Sequence, residues 1–376
     1  MAERVYLHIG LPKTATTYLQ RILWAHEDQM RGEGLLLPGS TRREHLWASR
    51  TVRRAWVANG DSESQRTAWD RMLLEMADWP GRALVSHEFF AAASKEQAQR
   101  VVEQLAPAEV HVVVTAREPL GLFTASWQEA LKNGETTPMP DYGRDESGDP
   151  RDIWNWRTLD LRLVLQRWAP AGGPVAPEHV HVLPLPGKEA PREQIWHHFA
   201  CLLGLDPEGY DLSSAFANES MGVVEAETLR RVNEHLGDFT KAIDKGTYIR
   251  TFLGDERLVP RGGERYWPGE DQVDDCRRRG REGVAFVREQ GYDVVGELDN
   301  LLVPDQLPER RRPDSVTDAE VAQVAVELVA TMLGDVRDLR HERRRLQAEL
   351  NVLPAPVTLL KRLRDRTHRV LARRTE

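Results

Sequence analysis

Cysteine is nearly missing from this chain: Cys201 and Cys276 are the only two in 376 residues, far apart and without partners at ligand spacing. That excludes a disulfide framework and a cysteine-based metal centre, so no metal site is read from the sequence and a reducing, cytoplasmic setting is the default. Basic excess is missing too, since 51 Lys+Arg stand against 59 Asp+Glu for a formal charge of −8. A general nucleic-acid binder needs the opposite balance, so any anion site has to be local. No apolar run is long enough to span a bilayer. The first apolar stretch, starting after Glu3 and Arg4 and running into Lys13, has no small-residue cleavage site and reads as a strand, not a leader. Also absent is the G-x-x-x-x-G-K-[ST] phosphate loop. In HIGLPKTATTYLQ, His8 to Gln20, Pro12 precedes Lys13 and Leu7 stands where the first glycine belongs, which excludes a standard NTPase loop.

What is present is an ordinary globular balance, 40% hydrophobic and 29% charged, on a chain long enough for one large domain with an appendage. Compact apolar runs at Val5–Ile9, Ala83–Ser86, Val110–Thr115 and Val180–Leu183 alternate with helical patterns after Thr17, over Ser94–Leu105, over Leu159–Trp168 and over Pro191–Leu203. Strands alternating with helices predict an α/β fold with a doubly wound, mostly parallel sheet flanked by helices. The polar, Pro- and Gly-containing segment Glu135–Asn155 reads as a long loop or lid. Residues 1–300 are expected as the main domain, the Pro-rich 301–315 as a linker, and 316–376 as a helical extension.

Ligands in such sheets bind beyond the carboxyl ends of the strands, which directs attention to 10–17, 86–90 and 116–126. The first of these puts Lys13, Thr14, Thr16 and Thr17 at a strand-to-helix turn, where free amides and the helix dipole favour an anion. The plainer reading has Thr14 or Thr16 capping the helix and Lys13 solvated.

The string Pro-Lys-Thr-x-Thr-Thr resembles the 5′-phosphosulfate loop of sulfotransferases that use 3′-phosphoadenosine 5′-phosphosulfate (PAPS), in which Pro-Lys-[Ser/Thr]-Gly-Thr-Thr is typical; Ala15 stands here for the glycine. Arg117 directly follows the third strand, where the family grips the 3′-phosphate with an arginine and a serine. The serine spacing lands on Ala125, leaving Ser126 or Thr124 for that role. The stretch Trp127–Asn133, the helix ending at Trp168 and VHVLPLPG from Val180 to Gly187 are similar to the bacterial branch of the family, so the resemblance spans roughly the first two-thirds of the chain. It implies a P-loop NTPase-like sulfotransferase fold. It implies sulfuryl transfer from PAPS, without a metal, to a hydroxyl of a carbohydrate, lipid or natural product. Lys13, Thr14, Ala15, Thr16, Thr17, Arg117, Thr124 and Ser126 would then form the PAPS site, with Lys13 stabilising the leaving oxygen. The family's base follows the second strand, where Glu88 and His87 are both open candidates; adjacent residues leaving a strand are expected to point apart. In the plainer reading Arg117 pairs with Glu118 or Glu129, Ser126 lies at the surface, His87 is packed and Glu88 caps a helix.

Trp127, Trp154 and Trp156 are placed either to line an acceptor pocket or to fill core. Lys245-Gly246 and Arg261-Gly262-Gly263 are loosely similar to the family's late basic-glycine segment. In the extension, Val321, Val324, Leu328, Met332, Val336 and Leu339 recur at helical spacing, and from Thr331 onward 12 Lys/Arg face 6 Asp/Glu. A dimerising coiled coil, a basic helix (Val357, Leu360, Leu363, Val370) on an anionic membrane surface and a solvated helix are the three readings. Two further readings of the whole chain remain: a divergent P-loop kinase, although no Mg²⁺-binding Asp follows the third strand, and a non-catalytic scaffold working through the extension.

Overall fold

The apolar runs assemble into a six-stranded sheet. The computed structural model describes residues 1–55, 61–144, 147–149, 152–187, 189–213 and 220–352. Its strands are β1 (Arg4–His8), β2 (Leu35–Leu36), β3 (Arg82–Ser86), β4 (Glu109–Ala116), β5 (Val180–Pro184) and β6 (Asp293–Val294), in the order β2-β3-β1-β4-β5-β6. Every pairing is parallel. The four expected strands are the interior ones, recognisable because burial on both faces demands a continuous apolar run. The two edge strands are only two residues long and leave no pattern to read.

Alternate residues build two apolar layers. Tyr6, Leu84, Val113 and Leu183 face one cluster with Leu19, Ile22 and Leu23 of the helix Thr16–Ala25 and Trp196 and Phe199 of the helix Gln194–Leu202. Val5, Leu7, Val85, Val112 and Val114 point to the other face and are equally buried. The sheet is thus an α/β core flanked by helices. Leaving β1, the chain first builds β2 and β3 on one side and then crosses to β4 on the other, which makes the carboxyl edge between β1 and β4 the topological switch point.

The segment expected as a linker is part of the first compact unit, Met1–Val316. Leu301, Val303 and Pro313 are buried there, Tyr266 and Arg311 form a bridge, and the Trp267 indole donates to the Pro308 carbonyl (3.0 Å) beneath the Arg310 guanidinium. Proline suits this run because Trp267 uses its carbonyls and needs no amide. The main domain accordingly extends past residue 300.

The described residues of the segment expected as a loop or lid, 135–155, include several that are tied to the rest of the domain. Gln272 of the helix Glu270–Gln290 donates to the Met139 and Tyr142 carbonyls at 2.8 and 3.1 Å, and the Tyr142 hydroxyl donates to the Trp154 carbonyl at 3.0 Å.

The second unit, Thr317–Glu376, contains the helix Asp318–Val352, with Val326, Val329, Leu333, Val336 and Leu339 exposed along it. The basic stretch with Val357, Leu360, Leu363 and Val370 lies outside the described residues. Among the described residues no helix is long and apolar enough to cross a membrane.

Candidate active site

Below the switch point lies a layer of buried polar groups. His8 at the end of β1 reaches Ser86 on β3 through Nδ1 (2.8 Å) and Thr115 on β4 through Nε2 (3.1 Å). Burial pushes its pKa down to about 4, so the ring is neutral and joins three strands by hydrogen bonds alone. Thr115 also contacts the Thr14 hydroxyl at 2.7 Å, and Thr14 donates to the Leu11 carbonyl. Beside them His45 accepts the Ser86 amide at 2.9 Å, and its other nitrogen meets the Pro38 carbonyl at 2.8 Å. Thr14 is therefore fully buried and its hydroxyl is spent anchoring the loop.

Above that layer the chain takes a strained path. Among the described residues three non-glycine residues have positive φ, and two of them, Lys13 (66°) and Ala15 (62°), are in this loop. Left-handed residues in a turn aim successive amides to one side, the geometry of an anion-binding concavity. The helix Thr16–Ala25 begins next to Ala15 with no side chain capping it, so its first-turn amides face outward beside Lys13. Ala15 tolerates its conformation because it is packed against the apolar cluster. Gly10 is needed for closeness: φ is +50°, and a Cβ there would lie 2.8 Å from Thr16 Cγ2 and 3.2 Å from Glu88 Cβ.

Glu88 and Thr16 are therefore brought to one place. Glu88 starts a short 3₁₀ turn after β3. Burial raises its carboxyl, but His87, its own amide, His8 and a hydrogen bond from Thr16 outweigh this and hold it below the usual carboxylate value. It is ionised at neutral pH, with Gln20 donating to it at 3.4 Å. The 3₁₀ turn also corrects the expectation that His87 and Glu88 point apart, since His87 Nδ1 is 3.7 Å from Glu88 Oε2. His87 Nδ1 accepts the Phe89 amide (3.1 Å), so a neutral ring carries its proton on Nε2. Burial lowers the His87 pKa and keeps it neutral.

Lys13 Nζ sits 3.0 Å from Glu129 Oε2 on the helix Pro119–Lys132. Arg250 binds the other Glu129 oxygen. Arg250 comes from the wide π-type helix Lys245–Leu258, whose Asp255 also pairs with Lys132 at 2.5 Å. Burial, reinforced by Lys132 and Arg250, lowers the Lys13 pKa to about 8. Glu129, Arg250, Lys132 and Asp255 were not singled out from the sequence as site residues. The signal for them was a buried carboxylate on an otherwise apolar helix, visible only once the fold supplies its partners.

Arg117 lies just past β4, two residues beyond the Thr115 anchor. Its guanidinium is partly exposed, doubles back over Gly121 and is 3.7 Å from Glu118. Thr17 is half-buried in the first turn of its helix. Thr124 is half-buried with its hydroxyl donating to the Leu120 and Gly121 carbonyls at 3.1 Å. Ser126 is at neither surface nor cleft: fully buried, it donates to the Phe123 carbonyl (2.7 Å) and lies 3.0 Å from the Tyr142 hydroxyl. Trp127 and Trp156 are core residues, the latter between Phe123 and the Arg279 guanidinium. Trp154 instead meets Phe89 edge-on at 6.2 Å and lines a polar cavity of about 420 Å³ with Asn133, Tyr142, Asp152 and Lys245.

No protein-family model matches the chain, and no curated protein or solved structure shows significant similarity to it.

Proposed function

We propose that this chain is a PAPS-dependent sulfotransferase with a P-loop-like sulfotransferase fold, moving a sulfuryl group to a hydroxyl acceptor. The observation that carries the reading is the convergence, at the switch point, of an uncapped helix start, Lys13 and an ionised Glu88. A 5′-phosphosulfate fits the cradle made by the outward amides of residues 15–17 with Lys13 and the Thr16 and Thr17 hydroxyls. Ala15 contributes through its backbone, and Thr14 through anchoring the loop. Arg117 is the group for the 3′-phosphate, its planar fork suited to a bidentate grip, with Thr124 nearer to solvent than Ser126 for the accompanying hydroxyl.

PAPS, when bound, supplies the sulfuryl group and departs as adenosine 3′,5′-bisphosphate. Glu88 takes the proton of the attacking hydroxyl, and Lys13 neutralises charge on the oxygen that leaves. His87, neutral and with its Nδ1 taken by the Phe89 amide, packs beside Glu88 without donating to it, which leaves Glu88 as the base. The polar cavity beside Trp154 adjoins Phe89, the residue after Glu88, and supports a hydroxyl-rich acceptor such as a carbohydrate. The exposed apolar positions of Asp318–Val352 support pairing of two copies through that helix.

The test is turnover. Incubating the chain with PAPS and a panel of carbohydrates, lipids and phenols, with mass detection of sulfated products, is expected to yield a product that Glu88→Gln reduces by at least about 100-fold. Unchanged turnover in that variant overturns the role of Glu88, and ATP-dependent phosphorylation in place of sulfation overturns the reading as a whole.

A further inference from the structure

At the opposite edge of the sheet from Lys13, four strand starts bring together Arg4 (β1), Glu109 and His111 (β4), His181 (β5) and Asp293 (β6), with His179 on the turn before β5. The register places Arg4 beside Glu109, Tyr6 beside His111 and His181 beside Asp293. The side chains form one chain of short contacts. Asp293 Oδ2 to His181 Nδ1 is 2.7 Å, His181 Nε2 to His111 Nδ1 is 2.7 Å, and His111 Nε2 to Glu109 Oε1 is 2.8 Å.

Counting protons exposes a deficit. Three contacts each need one hydrogen, and two neutral imidazoles own only two N–H groups between them. With Asp293 accepting from His181 and His181 accepting from His111, the His111 Nε2 lone pair is left facing a carboxylate oxygen. A positive charge belongs between them. A proton is one candidate and a metal cation the other.

The surroundings fit a metal better. His179 stacks on His111 with ring centroids 4.4 Å apart, and its Nε2 is 3.8 Å from Glu109 Oε2. One ligand atom from each of Glu109, His111 and His179 lies within 4.8 Å of the other two. A tetrahedral ion with bonds of about 2 Å spaces its ligands by roughly 3.3 Å, within the spread of these contacts. His111 already has the partner for its other nitrogen that metal-bound histidines require, in the His181–Asp293 relay. Arg4 holds the Glu109 carboxylate by Oε1 at 2.7 Å and fixes its orientation.

We propose that Glu109, His111 and His179 bind a divalent transition ion of the zinc type, with the fourth position open to water. Two imidazoles and one carboxylate match Zn²⁺ or Co²⁺. The site clamps β4 to the turn Pro177–His179 that leads into β5. It stands roughly 20 Å or more from Lys13, the length of β4, so it takes no part in chemistry at the loop after β1. No cysteine takes part, and the ligands are scattered over 109–179, which is why spacing in the sequence gave no sign of it.

The experiment uses the full-length chain without an affinity tag, stripped with chelator, then titrated with Zn²⁺ by calorimetry and with Co²⁺ by visible absorption. One equivalent is expected to bind with a raised melting temperature and cobalt bands typical of a four- or five-coordinate site. His179→Ala, a partly exposed position, is expected to fold and to weaken binding at least tenfold, and Glu109→Gln to do the same. Cys201→Ser is expected to leave binding intact. Absence of binding in the parent chain, or unchanged binding in both His179→Ala and Glu109→Gln, overturns the proposal. Neither result bears on sulfuryl transfer.

Discussion

Lys13 Nζ rests 3.0 Å from Glu129 Oε2, so the cation assigned to an incoming anion is already held by a carboxylate only 6% exposed. Arg250 shares that carboxylate, and an anionic ligand has to compete for both cations. Glu129→Gln is therefore expected to tighten adenosine 3′,5′-bisphosphate several-fold while lowering stability by about 1–2 kcal/mol. That figure is below the ~3–5 kcal/mol of a fully buried pair because both cations are about a third exposed. Calorimetry and urea unfolding on the same variant check the two halves; weaker binding contradicts the competition.

The same lysine sets a pH limit. Its pKa is lowered to about 8, so the ammonium is complete below that value and lost as pH rises through it. Bisphosphate affinity is expected to fall by up to about tenfold per pH unit above pH 8, because each unit removes that factor of charged lysine. Lys13→Arg keeps its charge and is expected to flatten the profile. A parent profile flat to about pH 10 contradicts a binding role for the ammonium.

Acid stability should report the polar layer under the loop. His8 and His45 are buried with pKa lowered to about 4, against 6.5 in an unfolded chain. Below 6.5 the unfolded state takes up protons that the folded state refuses, so stability falls with pH from there down to about 4 and gains nothing above 6.5. Between pH 6.5 and about pH 5 each histidine is expected to remove on the order of 2 kcal/mol. Urea unfolding across this range checks it, and His8→Gln should reduce the slope. A parent curve independent of pH contradicts neutral burial.

Ala15 is the other strained point. An alanine at φ 62° gives up about 1 kcal/mol relative to glycine, and its packed methyl recovers a similar amount. Ala15→Gly is accordingly expected to change unfolding free energy by less than about 1 kcal/mol. A loss beyond 2 kcal/mol shows that the methyl does more than offset the strain.

Which features could be read in advance follows from their physics. β1, β3, β4 and β5 are buried on both faces and so carry continuous apolar runs, whereas β2 and β6 are too short to hold a pattern. Lys13, Thr16 and Glu88 could be singled out because they lie between the carboxyl ends of β1 and β3 and the helical turns that follow. Thr14 had the right type and place, but its hydroxyl turns inward to Thr115, which local sequence does not encode. Ser126 lies one step around its helix from Ala125, enough to bury it. Glu129 and Arg250 are 121 residues apart and meet only through tertiary folding. The 301–315 prolines look like a linker by composition, yet Trp267 donates to the Pro308 and Arg311 carbonyls and holds the run to the domain.

The proposed ligand of the loop after β1 and of Arg117 after β4 is a nucleotide bearing both a 5′- and a 3′-phosphate. Calorimetry of the full chain with adenosine 3′,5′-bisphosphate, and with ADP plus Mg²⁺, separates it from an ordinary adenine nucleotide. Preference for the bisphosphate is expected, lost in Arg117→Ala and with binding abolished in Lys13→Ala. Preference for ADP with Mg²⁺, or no binding of either nucleotide, contradicts it.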